Sequence, residues 1–500
     1  MTTVLTSGRR AGFVSLLHAE WTKFRTVAGW GLGMAVGSLM IVLVGVLAGV
    51  SSDQQGAPPV PVGPGGAPVA DSFYFAHRPL TADGGITVSV TALESSVPAG
   101  PGDLRPGQVA WAKAGLIIKE STRPGSPYAA IMVTGGHGVR MQSGFVDDIA
   151  GPAGTEPVHW LRLLRSGDTV TGYSSADGTQ WTEVGTVRVR GLGPRPRGGP
   201  FVASPPSVDG MGTRSSVSTA VFGDLRVEGS WADDAWTGEQ VGPESPTFAG
   251  YPPGTSGSST ASGGELTITG AGDIAPAVRE TLATGGTVKD ILTGTFAALV
   301  VMVVVGTLYI TTEYRKNLIR VTLAVTPGRG RVLVAKAIVV GSCAFVAGLA
   351  GALAAVPLGE RLAEVNGVYV FPVSSATGLR VALGTAALLA AAAVLALSVG
   401  AILRRGAGAV TAVLLVIVLP YLLIANPFMP AGVAGWLARV TPAAAFAVHQ
   451  TLEPYEQVAS VYTPYNGYFP LPAWAGLAVL AGYAAVSLAV AVVLLRRREA

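Results

Sequence analysis

A single cysteine in 500 residues, Cys343, leaves no room for a disulfide framework or a Cys-based metal site. It lies inside an apolar run and reads as a buried thiol. Charge is also scarce: Asp, Glu, Lys and Arg make up 13% of the chain, against roughly 25% in an average soluble protein. The net charge of +4 supports no nucleic-acid partner. The five histidines (His18, His77, His137, His159, His449) are scattered without zinc spacing. No lysine directly follows a glycine. The Gly-rich turn whose lysine reaches nucleotide phosphates therefore cannot be built from this chain.

What is abundant is apolar sequence, gathered toward the two ends, with a mean hydropathy of +0.48. A membrane-spanning helix needs about 20 apolar residues. One such run, Ala28 to Val50, lies near the start. Five more follow Asp290: Ile291–Ile310, Val332–Pro357, Leu379–Ile402, Val410–Ile424 and Ala473–Leu495. The first is too long for a signal-peptide core, and no Ala-x-Ala site follows it. Basic residues orient the spans. Arg9, Arg10, Lys23 and Arg25 precede the first; Arg315, Lys316, Arg320, Arg329, Arg331 and Lys336 lie around the loop between the second and third; Arg404, Arg405 and Arg496–Arg498 follow. With six spans all of these fall on one side, so both termini are expected in the cytoplasm and residues 51–288 outside, in a plasma (inner) membrane protein. Gly29, Gly33 and Gly37 form a small-xxx-small series suited to helix packing in the first span.

Between the first two spans the pattern changes. Residues 51–72 are a Gly/Pro linker, and residues 73–288 read as a β-rich domain with its return segment. Gly85–Leu93 alternates with period two. Ala114–Lys119 and Tyr128–Thr134 are further short strands, and Trp160–Arg165 with Thr169–Ser174 forms a hairpin around Ser166-Gly-Asp168. Ala176-Asp-Gly178 turns the chain into Trp181–Val189, and Gly264–Ala275 reads as a last strand. The fold class is thus a polytopic α-helical membrane protein with an inserted all-β sandwich. Ala114–Lys119, Trp160–Arg165 and Tyr173–Trp181 resemble the concanavalin-like jelly rolls of the laminin-G and lectin/glucanase group, over about Phe73 to Val227. That resemblance implies a sandwich and, as a further partner, a glycan. Asp177, Gly178 and Trp181 are read first as turn and core residues. Glu94, Glu120, Asp147, Asp148 and Glu183 are the carboxylates available to a glycosidase, but nothing in the sequence pairs them across a cleft. The chain is not expected to be an enzyme.

Two cytoplasmic segments complete the pattern. In residues 1–27, Phe13, Leu16, Leu17, Trp21 and Phe24 share one helical face, with His18, Glu20, Lys23 and Arg25 on the others. This fits an amphipathic helix in the membrane interface. After the second span, residues 312–331 form a charged, helix-prone loop ending at Pro327-Gly328. Leu16-Leu-His-Ala-Glu-Trp-Thr-Lys-Phe-Arg-Thr26 together with Glu313-Tyr-Arg315, Ile319-Arg320, Leu323-Ala324, Pro327 and Lys336 resembles the ABC-2 type permeases of actinobacterial exporters. The order of one span, a long outer segment and five spans resembles theirs too.

The resemblance implies a permease subunit without cofactors of its own. A separate ABC ATPase would supply ATP and Mg, and the permease would work as a homo- or heterodimer in the lipid bilayer. It implies that Glu313, Tyr314, Arg315, Ile319, Arg320 and Leu323 couple to the ATPase, and that Trp21, Lys23 and Phe24 belong to the interface helix. Asn317-Leu318 replaces the Gly-Thr of many relatives, and the large outer domain is a second departure. The spans hold almost no charge; Arg380 sits near an outer edge, and Arg439 lies in the outer segment 426–472 between the last two spans. That segment reads as re-entrant or interfacial pieces. The alternative function is a membrane-anchored glycan- or envelope-binding or sensory protein acting through the sandwich.

Overall fold

A computed structural model describes residues 12–51, 59–100, 103–152, 159–208, 213–242, 257–282, 285–316, 318, 328–426 and 428–498. The chain divides into two compact units. One comprises Met1–Ala57, Thr284–Glu453 and Tyr462–Ala500, the other Pro58–Ala283 and Pro454–Val461.

The first unit is helical. It comprises α1 (Phe13–Thr26), α2 (Ala28–Ser51), a short α3 (Val288–Ile291) leading into α4 (Thr295–Arg315), α5 (Arg329–Val365), α6 (Ser375–Leu403), α7 (Gly406–Ile424), α8 (Ala431–Val440) and α9 (Ala473–Arg498). Six of its helical stretches are long and apolar enough to cross a membrane: Ala28–Val50, Val288–Arg315, Arg329–Val365, Ser375–Leu403, Gly406–Ile424 and Ala473–Arg497. Helices of this length and hydropathy mark a membrane protein. α4, α5 and α6 form the buried centre, while α2, α7 and α9 leave most of their apolar surface open. Leu39, Leu43 and Leu47 of α2 and Val486, Val490 and Val493 of α9 are among these exposed side chains. A Cβ on Gly33 would lie 2.6 Å from the Val305 side chain, and one on Gly37 would lie 2.5 Å from that of Met302. These two glycines let α2 approach α4 closely, whereas Gly29 faces open space. Between α7 and α9 the chain folds back as α8 and a fully buried 3-10 stretch, Pro442–His449. Cys343 is free and half-buried.

The second unit is a two-sheet sandwich. Its strands are β1 (Val69–Asp71), β2 (Phe73–Gly100), β3 (Asp103–Pro106), β4 (Lys113–Lys119), β5 (Tyr128–Thr134), β6 (Gly138–Ser143), β7 (Asp147–Ala150), β8 (His159–Ser166), β9 (Thr169–Ser175), β10 (Thr182–Arg188), β11 (Arg197–Ala203), β12 (Ser207–Val208), β13 (Thr213–Arg214), β14 (Val217–Trp231), β15 (Thr237–Val241), β16 (Ser258–Ser262), β17 (Glu265–Gly270) and β18 (Ile274–Pro276). The long β2 serves both sheets. Its first part pairs with β11 and β15, and its second part with β8 and β14. One sheet then runs β15-β2-β11-β4-β5-β6-β7, the other β10-β9-β8-β2-β14-β17-β16. Leu116, Ile118, Ile131 and Met141 of the first meet Ile86, Val88, Leu161, Leu163 and Phe222 of the second in the inner core.

The hairpin of β8 and β9 closes on Gly167-Asp168, with Ser166 opposite Thr169 and Gly167 at φ 59°. Glycine occupies this left-handed backbone position without a Cβ clash.

Sequence alternation does not foresee what covers the other face of the first sheet. Every residue of β4, Lys-Ala-Gly-Leu-Ile-Ile-Lys, is buried. Its second face joins an aromatic core of Phe73, Phe75, Tyr128, Phe145 and Phe201. The cover includes β1, which falls in the stretch expected as linker, and β18, paired antiparallel with Val69 opposite Pro276. Lys113 and Lys119 are fully buried there. Lys113 Nζ lies 2.5 Å from Asp273 Oδ1, and Lys119 Nζ lies 2.7 Å from Asp71 Oδ2. Both acids come from the covering ribbon or its edge. Residues 454–461, expected with the membrane portion, join this unit: Gln457 donates to the Val146 carbonyl at 2.8 Å and Ser460 to Glu280 at 2.6 Å.

Candidate functional site

The site is built from three helix ends. On α1, Glu20, Lys23 and Phe24 follow the i, i+3, i+4 spacing that places side chains together. On α4, Tyr309 and Glu313 are four apart, and Lys336 lies near the start of α5. The expectation that Glu20 lies on the polar side of α1 is overturned. Glu20 is completely buried, while Phe13 is 36% and Trp21 44% exposed. The reason is its partners. Lys336 Nζ donates to Glu20 Oε2 at 2.6 Å and to Glu313 Oε1 at 2.6 Å. Tyr309 OH reaches Glu20 Oε2 at 3.1 Å, and Lys23 Nζ donates to Glu20 Oε1 at 2.9 Å. Lys23 also stands 3.6 Å from Glu313.

Two carboxylates and two ammonium groups thus balance, with Glu20, Lys336 and most of Glu313 shut away from solvent, where an unpaired charge would be costly, and Lys23 partly exposed at the rim. Burial alone would push the Glu20 carboxyl upward. The adjacent Lys336 and Lys23 ammonium groups outweigh it, so the net shift is downward. For Lys23, burial opposes the charge, but Glu20 and Glu313 outweigh it and its ammonium is raised. Aromatic rings close the pocket: Phe24 and Trp30 set their edges against Tyr309 at 5.6 and 5.8 Å. Trp21 stacks on Phe24 at 6.5 Å. Glu313 Oε2 is buried and has no hydrogen-bond partner among the described residues.

Of the residues expected to couple, Glu313 belongs to this node. Tyr314 lies under the Arg404 guanidinium, 5.0 Å from the ring. Arg315 is exposed at the end of α4. Ile319, Arg320 and Leu323 lie outside the described residues. Trp21, Lys23 and Phe24 all sit in or beside the node. Sequence reasoning set Glu20 on the polar face of α1 and Lys336 among the orienting basic residues and the family motif, named neither as a site residue, and did not single out Tyr309. The available signal was Lys336, an ionisable residue inside the third apolar run, where a charge demands a partner.

In the sandwich, Asp177 is a turn residue. Its carboxylate accepts from the Thr179 and Gln180 amides, each at 2.8 Å, and these bonds hold its proton affinity well below the ordinary carboxylate range. Gly178, at φ 73°, packs against the Trp160 indole. Trp181 is not a core residue. It is half-buried with the Arg162 guanidinium 5.8 Å from its ring, and Arg226 lies 6.0 Å from the Trp160 ring. Asp148 accepts from Arg140 and Gln142 at 3.0 and 2.8 Å. Among the described residues no three His, Cys, Asp or Glu side chains are grouped to hold a metal ion.

No protein family matches the chain, and no similar sequence is found among curated proteins. Among solved structures, a mutant of the GH43 protein BlXynB from Bacillus licheniformis is 14% identical, with 29% of this chain and 27% of that one covered and a TM-score of 0.20. This chain therefore spans about a quarter of that protein's length. A functionally unknown protein from Saccharomyces cerevisiae is 15% identical, covering 31% of this chain and 74% of its own at a TM-score of 0.18. SCP-B, a member of the Eqolisin family of peptidases in complex with the tripeptide Ala-Ile-His, is 10% identical, covering 40% and 98% at 0.24. Likenesses this slight carry no argument about chemistry.

Proposed function

We propose that this chain is the membrane-spanning permease subunit of an ABC-2 type exporter, working as a dimer and driven by separate cytoplasmic ATPase subunits that bind ATP and Mg. The observation that carries this reading is the buried node of Glu20, Lys336 and Glu313. Glu313 lies near the end of α4 and Lys336 in the early turns of α5, at either end of the expected coupling loop, and both are tied to the interface helix α1. A partner that displaces the loop would move α1, α4 and α5 together, because a buried ion pair tolerates little separation of its charges. The basic residues flanking the spans support cytoplasmic termini and an extracytoplasmic sandwich. The missing Gly-Lys turn agrees with a motor on another chain.

The test is the ATPase rate of the candidate partner, reconstituted with this protein and with its Glu313→Ala, Arg315→Ala variant. The wild type should change the rate and the variant should not. If neither form alters the rate, the permease reading fails.

A second reading has one observation in its favour. On the sandwich, Trp160 and Trp181 each lie beside an arginine at a partly exposed surface, a composition suited to sugar rings bearing anionic groups. The full-length protein in nanodiscs on a glycan array, with Trp181→Ala as control, tests it. Absence of binding would remove it.

A further inference from the structure

Within the helical unit, a cavity of about 560 Å³ lies where α6 and α9 begin. Arg380, Gln450, Glu453, Phe469 and Trp474 are among its walls. The volume falls within the range of small-molecule sites. Arg404, at the other end of α6, stacks on Tyr314 beside the node, and a Cβ on Gly330 at the start of α5 would lie 2.8 Å from Val492 near the end of α9. The cavity is therefore at the end of the bundle opposite the node. The 24 residues from Arg380 to Arg404, at about 1.5 Å each, span about 36 Å, slightly more than the hydrocarbon of a bilayer, about 30 Å. Trp474, 52% exposed, lines the cavity at the start of α9, and indoles are enriched at such ends of membrane helices.

The charges of this cavity are of both signs and are not spent on each other. Arg380 donates to the Val448 carbonyl at 3.3 Å and to the Gln450 carbonyl at 2.5 Å. Those bonds fix the guanidinium and use two of its five N–H groups. Among the described residues it forms no ion pair, and neither does the exposed Glu453. The Gln450 side chain is committed to the wall: its oxygen accepts from Phe469 N at 2.8 Å and its nitrogen donates to the Leu452 carbonyl at 3.1 Å. Thr377 in the first turn of α6, and Ala473 and Trp474 in the first turn of α9, also line the cavity. The positive ends of two long helices thus add to the arginine's field on one side. Glu453 supplies the opposite charge, and the Trp474 ring offers a face for a cation.

We propose that this cavity binds the head of a zwitterionic molecule. Its phosphate or carboxylate would sit at Arg380 and the two helix starts, and its ammonium group between Glu453 and Trp474. The apolar wall of Ala447, Leu452 and Leu471 would receive the first carbons of an attached chain. This inference is independent of the permease reading, because it concerns binding alone.

The test uses the full-length protein in detergent, titrated with dioctanoyl phosphatidylethanolamine and dioctanoyl phosphatidylglycerol and read by native mass spectrometry. The ethanolamine lipid should bind about fivefold more tightly, the size of one partly solvated ion pair. Glu453→Gln, which alters an exposed side chain, should abolish that preference while leaving the glycerol lipid unchanged. Arg380→Ala should weaken both lipids about tenfold, and Arg380→Lys should restore part of the loss. Glycerophosphoethanolamine, the same head without chains, separates the sources. If it competes as well as the lipid, the ligand is a soluble zwitterion; if it fails to compete, the ligand is a lipid. Both support the assignment of the head. Equal binding of the two lipids by the wild type, unaltered in Glu453→Gln, would overturn it.

Discussion

Lys336 Nζ and Glu20 Oε2 lie 2.6 Å apart across 316 residues of sequence, and both side chains are shut away from solvent. The pair joins an N-terminal helix to the first turns of α5, and Glu313 extends it to the end of α4. Loss of Lys336 leaves two carboxylates to share Lys23, and loss of Glu20 leaves two ammonium groups on Glu313.

Lys336→Ala should destabilise the helical unit by about 3–5 kcal/mol, the usual cost of removing one member of a buried pair. It leaves Glu20 and Glu313 facing each other with Lys23 alone. Adding Glu20→Gln to Lys336→Ala should recover part of the loss, since it removes one of the two like charges. Thermal unfolding of the four proteins in a double-mutant cycle measures this, and strictly additive effects would mean that the two residues act separately.

Acid should loosen α1. The Glu20 carboxyl titrates below its ordinary value of 4.5 in the folded protein, because Lys336 and Lys23 outweigh the effect of burial. A depressed acid contributes stability that is fully present above the unfolded value and is lost as pH falls through the folded one. The melting temperature should therefore hold above pH 4.5 and drop below it. Glu20→Gln should lack that share of the drop. A wild-type profile matching the variant's would contradict the assignment.

The sandwich carries its own version of the same physics. Burial raises the Asp71 carboxyl and lowers the Lys119 ammonium, each opposed by the partner's charge. Lys119→Met alone should cost about 3–5 kcal/mol, while Lys119→Met with Asp71→Asn should lie much closer to wild type, since no buried charge is then stranded. Urea unfolding followed by tryptophan fluorescence would compare them.

Gly33→Leu should damage the packing of α2 on α4, with a cost of about 1–3 kcal/mol for overpacking, because even a Cβ there falls 2.6 Å from Val305. Gly29→Leu, facing open space, should be nearly neutral. Equal melting temperatures for the two variants would exclude this packing contact.

The long apolar helices were legible because a bilayer demands an uninterrupted run, and length alone exposes it. Tyr128–Thr134 was legible as a strand for a similar reason, being a short apolar run rich in β-formers. Glu20 was misplaced because periodicity assigns every carboxylate to water. Only its pairing with Lys336 reverses that, and nothing local announces a partner so distant. Lys113 and Lys119, at the two ends of β4, pose the same difficulty: both are buried on acids from elsewhere, and nothing local announces those partners. Three-residue strands such as β1, set among glycines and prolines, are too short to form a pattern. The sandwich boundaries were blurred accordingly.

The pairing of Val69 with Pro276 brings the entrance and exit of a domain of some two hundred residues to neighbouring positions on one ribbon. A domain whose first and last strands pair with each other is closed by its own hydrogen bonds, so its fold does not depend on the chain that carries it to hold its ends together.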